Sequence, residues 1–127
     1  MARPSKPYPT DAELAILNVL WDQGPATVRA VHESLGPKAG GYTTVLKLMQ
    51  IMTEKGLVLR DESARAHVYR AGVDRGRTQK NLVQDLLAKA FDGSPLRLVQ
   101  QALSGEQTSP EDLAEVRRLL NELEETP

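Results

Sequence analysis

The stretch GGYTTVLKLMQIMTEKGLV, Gly40 to Val58, is where the reading of the fold turns. Wound at about 100° per residue, it puts Val45, Leu48, Met49 and Met52 on one side. Thr43, Lys47, Gln50 and Glu54 fall on the other, with Thr44 and Leu46 on the flanks. A glycine pair gives it a flexible entry, and Gly56 suits the left-handed residue that ends a helix. The apolar side is core-forming, Met49 and Met52 included. The polar side has two readings. It is the solvated back of an amphipathic helix, with Thr43 as an N-cap, or it is a surface that reads a partner. The neighbouring segments decide between them.

Upstream, PTDAELAILNVLWDQGPA opens with Thr10 and, three residues on, Glu13, the arrangement of a capping box. Leu14, Ile16, Leu17, Leu20 and Trp21 form an inward stripe, Trp21 being expected in the core, and Gly24-Pro25 ends the helix. Thr27 caps a second helix that turns Val28, Val31 and Leu35 inward and shows Arg29, His32 and Glu33 outside. Gly36-Pro37 closes it, and Pro37 to Gly41 reads as a loop. Downstream of Gly56, LVLRD and HVYRA alternate as strands around the small polar loop ESARA, which carries Arg65 at its tip.

Three short helices followed by a hairpin is the order of a winged helix-turn-helix, in which the second helix of the motif enters the major groove. The opening stretch is that helix. Tyr42, Thr43 and Thr44 stand at its N-terminus, where short side chains approach bases and phosphates. A threonine methyl touches a thymine methyl, Lys47 reaches a guanine edge or a phosphate, and Gln50 pairs with adenine. Arg60, Arg65, His67 and Arg70 on the hairpin reach backbone phosphates or the adjacent minor groove. The order of elements carries this reading rather than any one residue. His67 alone reads as an ordinary strand residue, and His32 has no second histidine at metal-ligand spacing.

The remainder is helical. From about Arg75 to Phe91, the residues Leu82, Val83, Leu86, Leu87, Ala90 and Phe91 make a broad apolar stripe, broken by Asp92-Gly93. Ser94-Pro95 opens a short helix containing Leu98 that runs to Leu103, and Ser109-Pro110 opens another. Glu111 and Asp112 complement the positive end of that last helix, and Leu113, Val116, Leu120 and Leu123 follow the seam of a short heptad pattern. Three helices of this size bury little apolar surface alone, whereas two copies together bury much more. The alternative is that they fold back on the winged unit. The expected organisation is a flexible arm over residues 1–9, a winged-helix DNA-binding domain over 10–72 and a helical dimerisation domain over 73–127. The fold class is mainly α with a small β-hairpin wing.

Composition limits the functions available. The chain of 127 residues has no cysteine, so disulfides, thiolate zinc sites and a cysteine nucleophile are excluded. No apolar run approaches the roughly 20 residues of a membrane span, and the proline-rich N-terminus has no apolar run behind it, so no secretory signal or direct membrane binding is expected. A cytoplasmic location follows as the expectation. Through Arg75 the chain has ten Lys/Arg against eight Asp/Glu; from Gly76 onward it has six against nine. The front is therefore mildly basic and the back acidic, which keeps DNA to one side.

These segments resemble the penicillinase repressor family, the BlaI/MecI group of bacterial winged-helix repressors that also includes copper-responsive CopY-type members. The resemblance is carried by ELAILNVLWDQGPATVRAVHE, YTTVLKLMQIMTEKGLVLRDESARAHVYRA and LVQDLLAKAFDGSPLRLVQQAL, from about Thr10 to Leu123. It implies a homodimer, each winged helix on half of a dyad-symmetric operator, with Thr43, Thr44 and Lys47 at DNA-contacting positions. Leu46 stands where some relatives carry a basic residue. The absence of cysteine rules out the copper-sensing branch's metal hook, and no cofactor or metal is expected. In the β-lactam-responsive branch, a membrane-bound metalloprotease sensor or its relay triggers cleavage of the repressor. The matching bond is near Gln101-Ala102, although LVQQAL lacks the Asn-Phe of the penicillinase repressors.

The expected function is therefore a dimeric transcriptional repressor that binds double-stranded operator DNA. A winged-helix protein–protein adaptor is the alternative; it needs no basic wing. An enzyme is disfavoured, because no nucleophile–base pair or strong phosphate loop is present and Gly40-Gly41 is too weak a signal to invoke a nucleotide.

Overall fold

A computed structural model describes residues 8–105 and 107–126. Of the expected N-terminal arm, only Tyr8 and Pro9 lie among the described residues. Contacts divide the chain into two compact units, one ending at Leu82 and the other beginning at Val83.

In the first unit, helices α1 (Asp11–Gln23), α2 (Val28–Leu35) and α3 (Tyr42–Lys55) precede an antiparallel hairpin, β1 (Val58–Asp61) and β2 (Val68–Ala71). Each boundary has a local cause. The Thr10 hydroxyl accepts from Glu13 N–H at 3.2 Å and the Glu13 carboxylate accepts from Thr10 N–H at 2.9 Å, completing the capping box. Thr27 caps α2 by accepting from Ala30 N–H at 3.1 Å. Gly56 ends α3 in the left-handed region at φ 82°, ψ 7°. The loop expected from Pro37 to Gly41 contains a short 3₁₀ turn, Pro37–Ala39.

The core of this unit is Ile16, Leu17 and Leu20 of α1, Val28 and Val31 of α2, Val45, Met49 and Met52 of α3, with Leu57, Val58 and Tyr69 from the hairpin. Trp21, expected inside, sits at the edge of this core: it is half-buried, its indole N–H donates to Val73 O at 3.1 Å, and the Arg75 guanidinium lies 5.5 Å from its ring. The polar nitrogen explains the position, since a buried indole needs a hydrogen-bond acceptor.

Three long-range ties shape the unit. Ala26 and Tyr69 exchange backbone hydrogen bonds at 2.9 and 2.8 Å, so the start of α2 docks on β2 as a one-residue third strand. Gly72 N–H donates to Leu57 O at 2.8 Å, and a Cβ on Gly72 would meet Gly56 O at 2.8 Å, so only glycine allows this close approach. Glu13, only 2% exposed, accepts from Lys55 Nζ at 2.8 Å. That pair joins the first turn of α1 to the last turn of α3. Burial pushes the Glu13 carboxyl up, but hydrogen bonds from Lys55 and Thr10 and the lysine charge outweigh it and hold the group below its ordinary value.

Helix α4 (Arg75–Ala90) begins in the first unit and ends in the second, followed by α5 (Pro95–Leu103) and α6 (Pro110–Glu125). Asp92 turns the chain after α4 with φ 53°. Ser94 and Ser109 cap α5 and α6 by accepting from Arg97 and Asp112 N–H at 3.2 and 3.0 Å, each with proline in the first helical position. The buried core cluster contains no residue of this second unit. Among the described residues, no helix is long and apolar enough to cross a membrane.

Candidate nucleic-acid interface

The exposed face of α3 follows from the burial of its other face. Val45, Met49 and Met52 are wholly buried, which by helical geometry turns Thr43, Thr44, Lys47 and Gln50 outward, and all four are exposed. Ile51, also exposed, is an apolar member of the unburied surface that periodicity alone did not single out. Gly41 occupies the N-cap and supplies no side-chain acceptor. Thr43 is therefore within the first turn and not the cap, and the leading N–H groups of α3 are open to an anion such as a phosphate.

Before α3, His32 Nε2 lies 3.1 Å from Gly40 O, and the His32 ring meets Tyr42 edge-on with centroids 6.2 Å apart. These contacts fix the entry of the helix and hold Tyr42 at the surface. His32 is thus a structural tie, and among the described residues no group of three or more metal-ligating side chains is assembled.

The wing closes on this helix. A groove of about 540 Å³ is lined by Arg29 from α2, Tyr42 and Leu46 from α3, and Arg65 and His67 from the hairpin loop. Arg29 was not among the sequence candidates. It enters because the Ala26–Tyr69 pairing pulls the first turn of α2 against the wing, and that pairing joins residues too far apart in sequence for any local pattern to show it. The groove combines two guanidiniums, an imidazole and an aromatic ring, which suits a polyanion with flat bases.

The remaining hairpin arginines are placed differently. Arg60 faces Tyr69 across the ladder and donates through Nε to Glu62 at 2.7 Å. The Tyr69 side chain first, and the Glu62 charge second, favour its protonated form. It is thereby tied into the hairpin. Arg70 pairs with Leu59, one step along, so strand alternation turns it to the opposite face from Tyr69 and away from the groove. Beside it, Asp61 accepts from Ser63 N–H at 2.9 Å, and this bond, with a smaller contribution from the Arg70 charge, lowers its carboxyl below the ordinary range.

The residues expected to pair two chains are mostly uncovered. In the second unit Val83, Leu86, Leu113, Leu120 and Leu123 are exposed, the last by 61%, and Phe91, Leu98 and Val116 are half-buried; Leu82, the last residue of the first unit, is half-buried too. Ala90 is exposed, and Leu87 is covered by its own chain. Leu96 at 66%, Val99 and Leu119 are exposed as well. Gln101 and Ala102 lie exposed in the last turn of α5, where Gln101 O accepts from Ser104 Oγ at 3.0 Å.

Comparison with known proteins sets this geometry in context. Residues 9–122 match the family described as penicillinase repressor. The transcriptional regulator BlaI of Mycobacterium tuberculosis, found in two strains, is 36% identical over 116 residues, which cover 90% of this chain and 83% of that protein. A solution structure of the DNA-binding domain of the repressor BlaI aligns with a TM-score of 0.48 at 23% identity, over 55% of this chain and 89% of that one.

Proposed function

The chain belongs to the penicillinase repressor family, and from that premise we propose that it is a homodimeric transcriptional repressor that reads a palindromic operator with α3 and braces it with the wing. The family is one of transcriptional regulators, not enzymes. The observation that carries the reading is the joint placement of an uncapped helix N-terminus, an exposed polar face on that helix, and the groove that brings Arg29, Arg65 and His67 beside Tyr42.

Division of labour follows from position. Thr43, Thr44, Lys47 and Gln50 project where a helix lying in the major groove meets base edges. Arg29 and Arg65 are phosphate contacts that set register without reading sequence. Arg60 stiffens the wing through Glu62 and Tyr69. Arg70, on the outer face of the hairpin, contacts DNA only where the duplex extends past the wing.

Dimerisation is supported by the second unit, most of whose large apolar side chains remain at the surface, Leu87 alone among those expected to pair being buried. A leucine moved from water into a partner's surface contributes about 1.5–3 kcal/mol, so a handful of exposed leucines is a substantial driving force. Two copies related by a dyad present two copies of α3 to half-sites one helical turn, about 34–36 Å, apart or a multiple of it. A repressor acting on an operator works where the DNA is, in the bacterial cytoplasm. Relief of repression by a membrane-bound metalloprotease sensor would have to unwind the last turn of α5 before the Gln101-Ala102 bond could enter an extended protease cleft.

Selection from random duplex DNA tests the reading. A dyad-symmetric consensus is expected, bound with an affinity whose logarithm falls linearly with the logarithm of salt concentration. Failure to enrich any sequence would favour a winged-helix adaptor that acts through protein contacts alone.

A further inference from the structure

The first unit has a second cavity of about 540 Å³, remote in sequence from the start of α3 and unused by the DNA reading. It lies among the end of α3, the exit of the hairpin and the first turns of α4, within the size range of small-molecule sites. Tyr8, Pro9, Leu57 and Val73 supply apolar wall, and Lys55, Asp74, Arg77, Thr78 and Asn81 supply the polar groups, two cations against one carboxylate. The close backbone approach at Gly72, which also lines the cavity, holds the hairpin exit in place beside it.

The charges around it are not those that stability alone would select. The first turn of α4 carries no acidic residue and places Arg75 and Arg77 next to the positive end of the helix dipole, where cations are unfavourable. Arg75 is compensated, by an ion pair with Asp22 and by the Trp21 ring. Asp74 is occupied as a cap, accepting from Arg77 N–H at 2.9 Å. The Arg77 guanidinium has no such compensation among the described residues. Local arrangements that oppose stability mark sites of function more often than chance placements do. Thr78, only 8% exposed, adds a hydroxyl to the wall, and Asn81 adds an amide.

We propose that this cavity binds a small organic anion, its acidic group held by Arg77 and Lys55 and its apolar body resting on Leu57 and Val73. Lys55 is shared: its ammonium also holds Glu13 at 2.8 Å, so an anion in the cavity draws on the contact that seats the last turn of α3 on α1. The site is thereby connected to the reading head through one side chain.

The test uses the full-length ¹⁵N-labelled protein and three probes of one shape and different charge: benzoate, benzamide and benzamidine. Ligands of this size bind with dissociation constants on the order of millimolar. Benzoate is expected to give saturable shifts of the Lys55, Leu57, Val73, Thr78 and Asn81 amides, spreading to Thr10 and Glu13 through Lys55. The neutral and cationic probes should bind at least about tenfold more weakly, the loss of one charge-assisted bond. Arg77→Gln, a change at an exposed position, should weaken benzoate by a similar factor while leaving the rest of the spectrum in place. Benzoate shifts that are absent or unsaturable at these residues, an equal response to benzamidine, or benzoate binding unchanged in Arg77→Gln would each overturn the proposal.

Discussion

Lys47 and Arg65 carry the same charge and occupy different kinds of position. Lys47 stands on the exposed face of α3, and Arg65 lines the groove at the loop of the wing. Lys47→Ala should change the ranking of operator variants, with about 1–3 kcal/mol lost at the base pair it reads and little elsewhere. Arg65→Ala should weaken all sequences alike and reduce the salt slope by about one. Competition binding across a panel of single-base operator variants separates the two, and a uniform loss for Lys47→Ala would reduce it to a phosphate contact. Arg29→Ala belongs with Arg65: a uniform loss and a flatter salt slope, measured on the same panel. A change of sequence preference in Arg29→Ala would place it on a base instead.

The elements show what could be read from the chain and what could not. Helix ends were legible because their causes are local: Thr10 with Glu13, Thr27, Gly56, Ser94 and Ser109 each act within a few residues. The outward face of α3 was legible from its apolar period for the same reason. The ties between elements were not. Glu13 signals a capping box in sequence, yet it also accepts from Lys55, 42 positions away. The Ala26–Tyr69 pairing, which brings Arg29 to the groove, has no sequence signature. Arg60 and Arg70 look equivalent in the chain, and the strand register separates them.

The Glu13–Lys55 pair gives a prediction at this scale. Lys55→Met leaves a buried carboxylate without its cation and should cost about 2 kcal/mol at neutral pH, the partial exposure of Lys55 reducing the full cost of breaking a buried pair. Because Glu13 ionises in the fold below its ordinary value of 4.5, its contribution is fully present above that pH and is lost as pH falls through the lowered value. Denaturant melts at a series of pH values should show the two proteins converging in acid; a constant gap would place the effect in packing and not in charge. Gly72→Ala should destabilise by about 1–3 kcal/mol, because its Cβ would lie 2.8 Å from Gly56 O. A neutral result in the same melts would show that the hairpin exit can shift.

At the scale of the whole molecule, the two units divide the work. The first has the buried core cluster and an exposed polar face on α3, while the second leaves apolar side chains exposed, which the proposed dimer would bury. Leu120→Glu places a charge at a position expected in the pairing seam and should shift sedimentation from dimer to monomer without unfolding the first unit. Operator affinity would then fall by orders of magnitude, since two linked half-site contacts bind far more tightly than one. The most direct measurement of the central claim is a footprint of the protein on the DNA upstream of its own gene, at physiological salt and against unrelated DNA of equal length. Preferential protection of two segments is expected, symmetric about a dyad and one helical turn or a multiple of it apart. Equal, weak and featureless protection of both DNAs, together with no sequence enriched from random DNA, would contradict it.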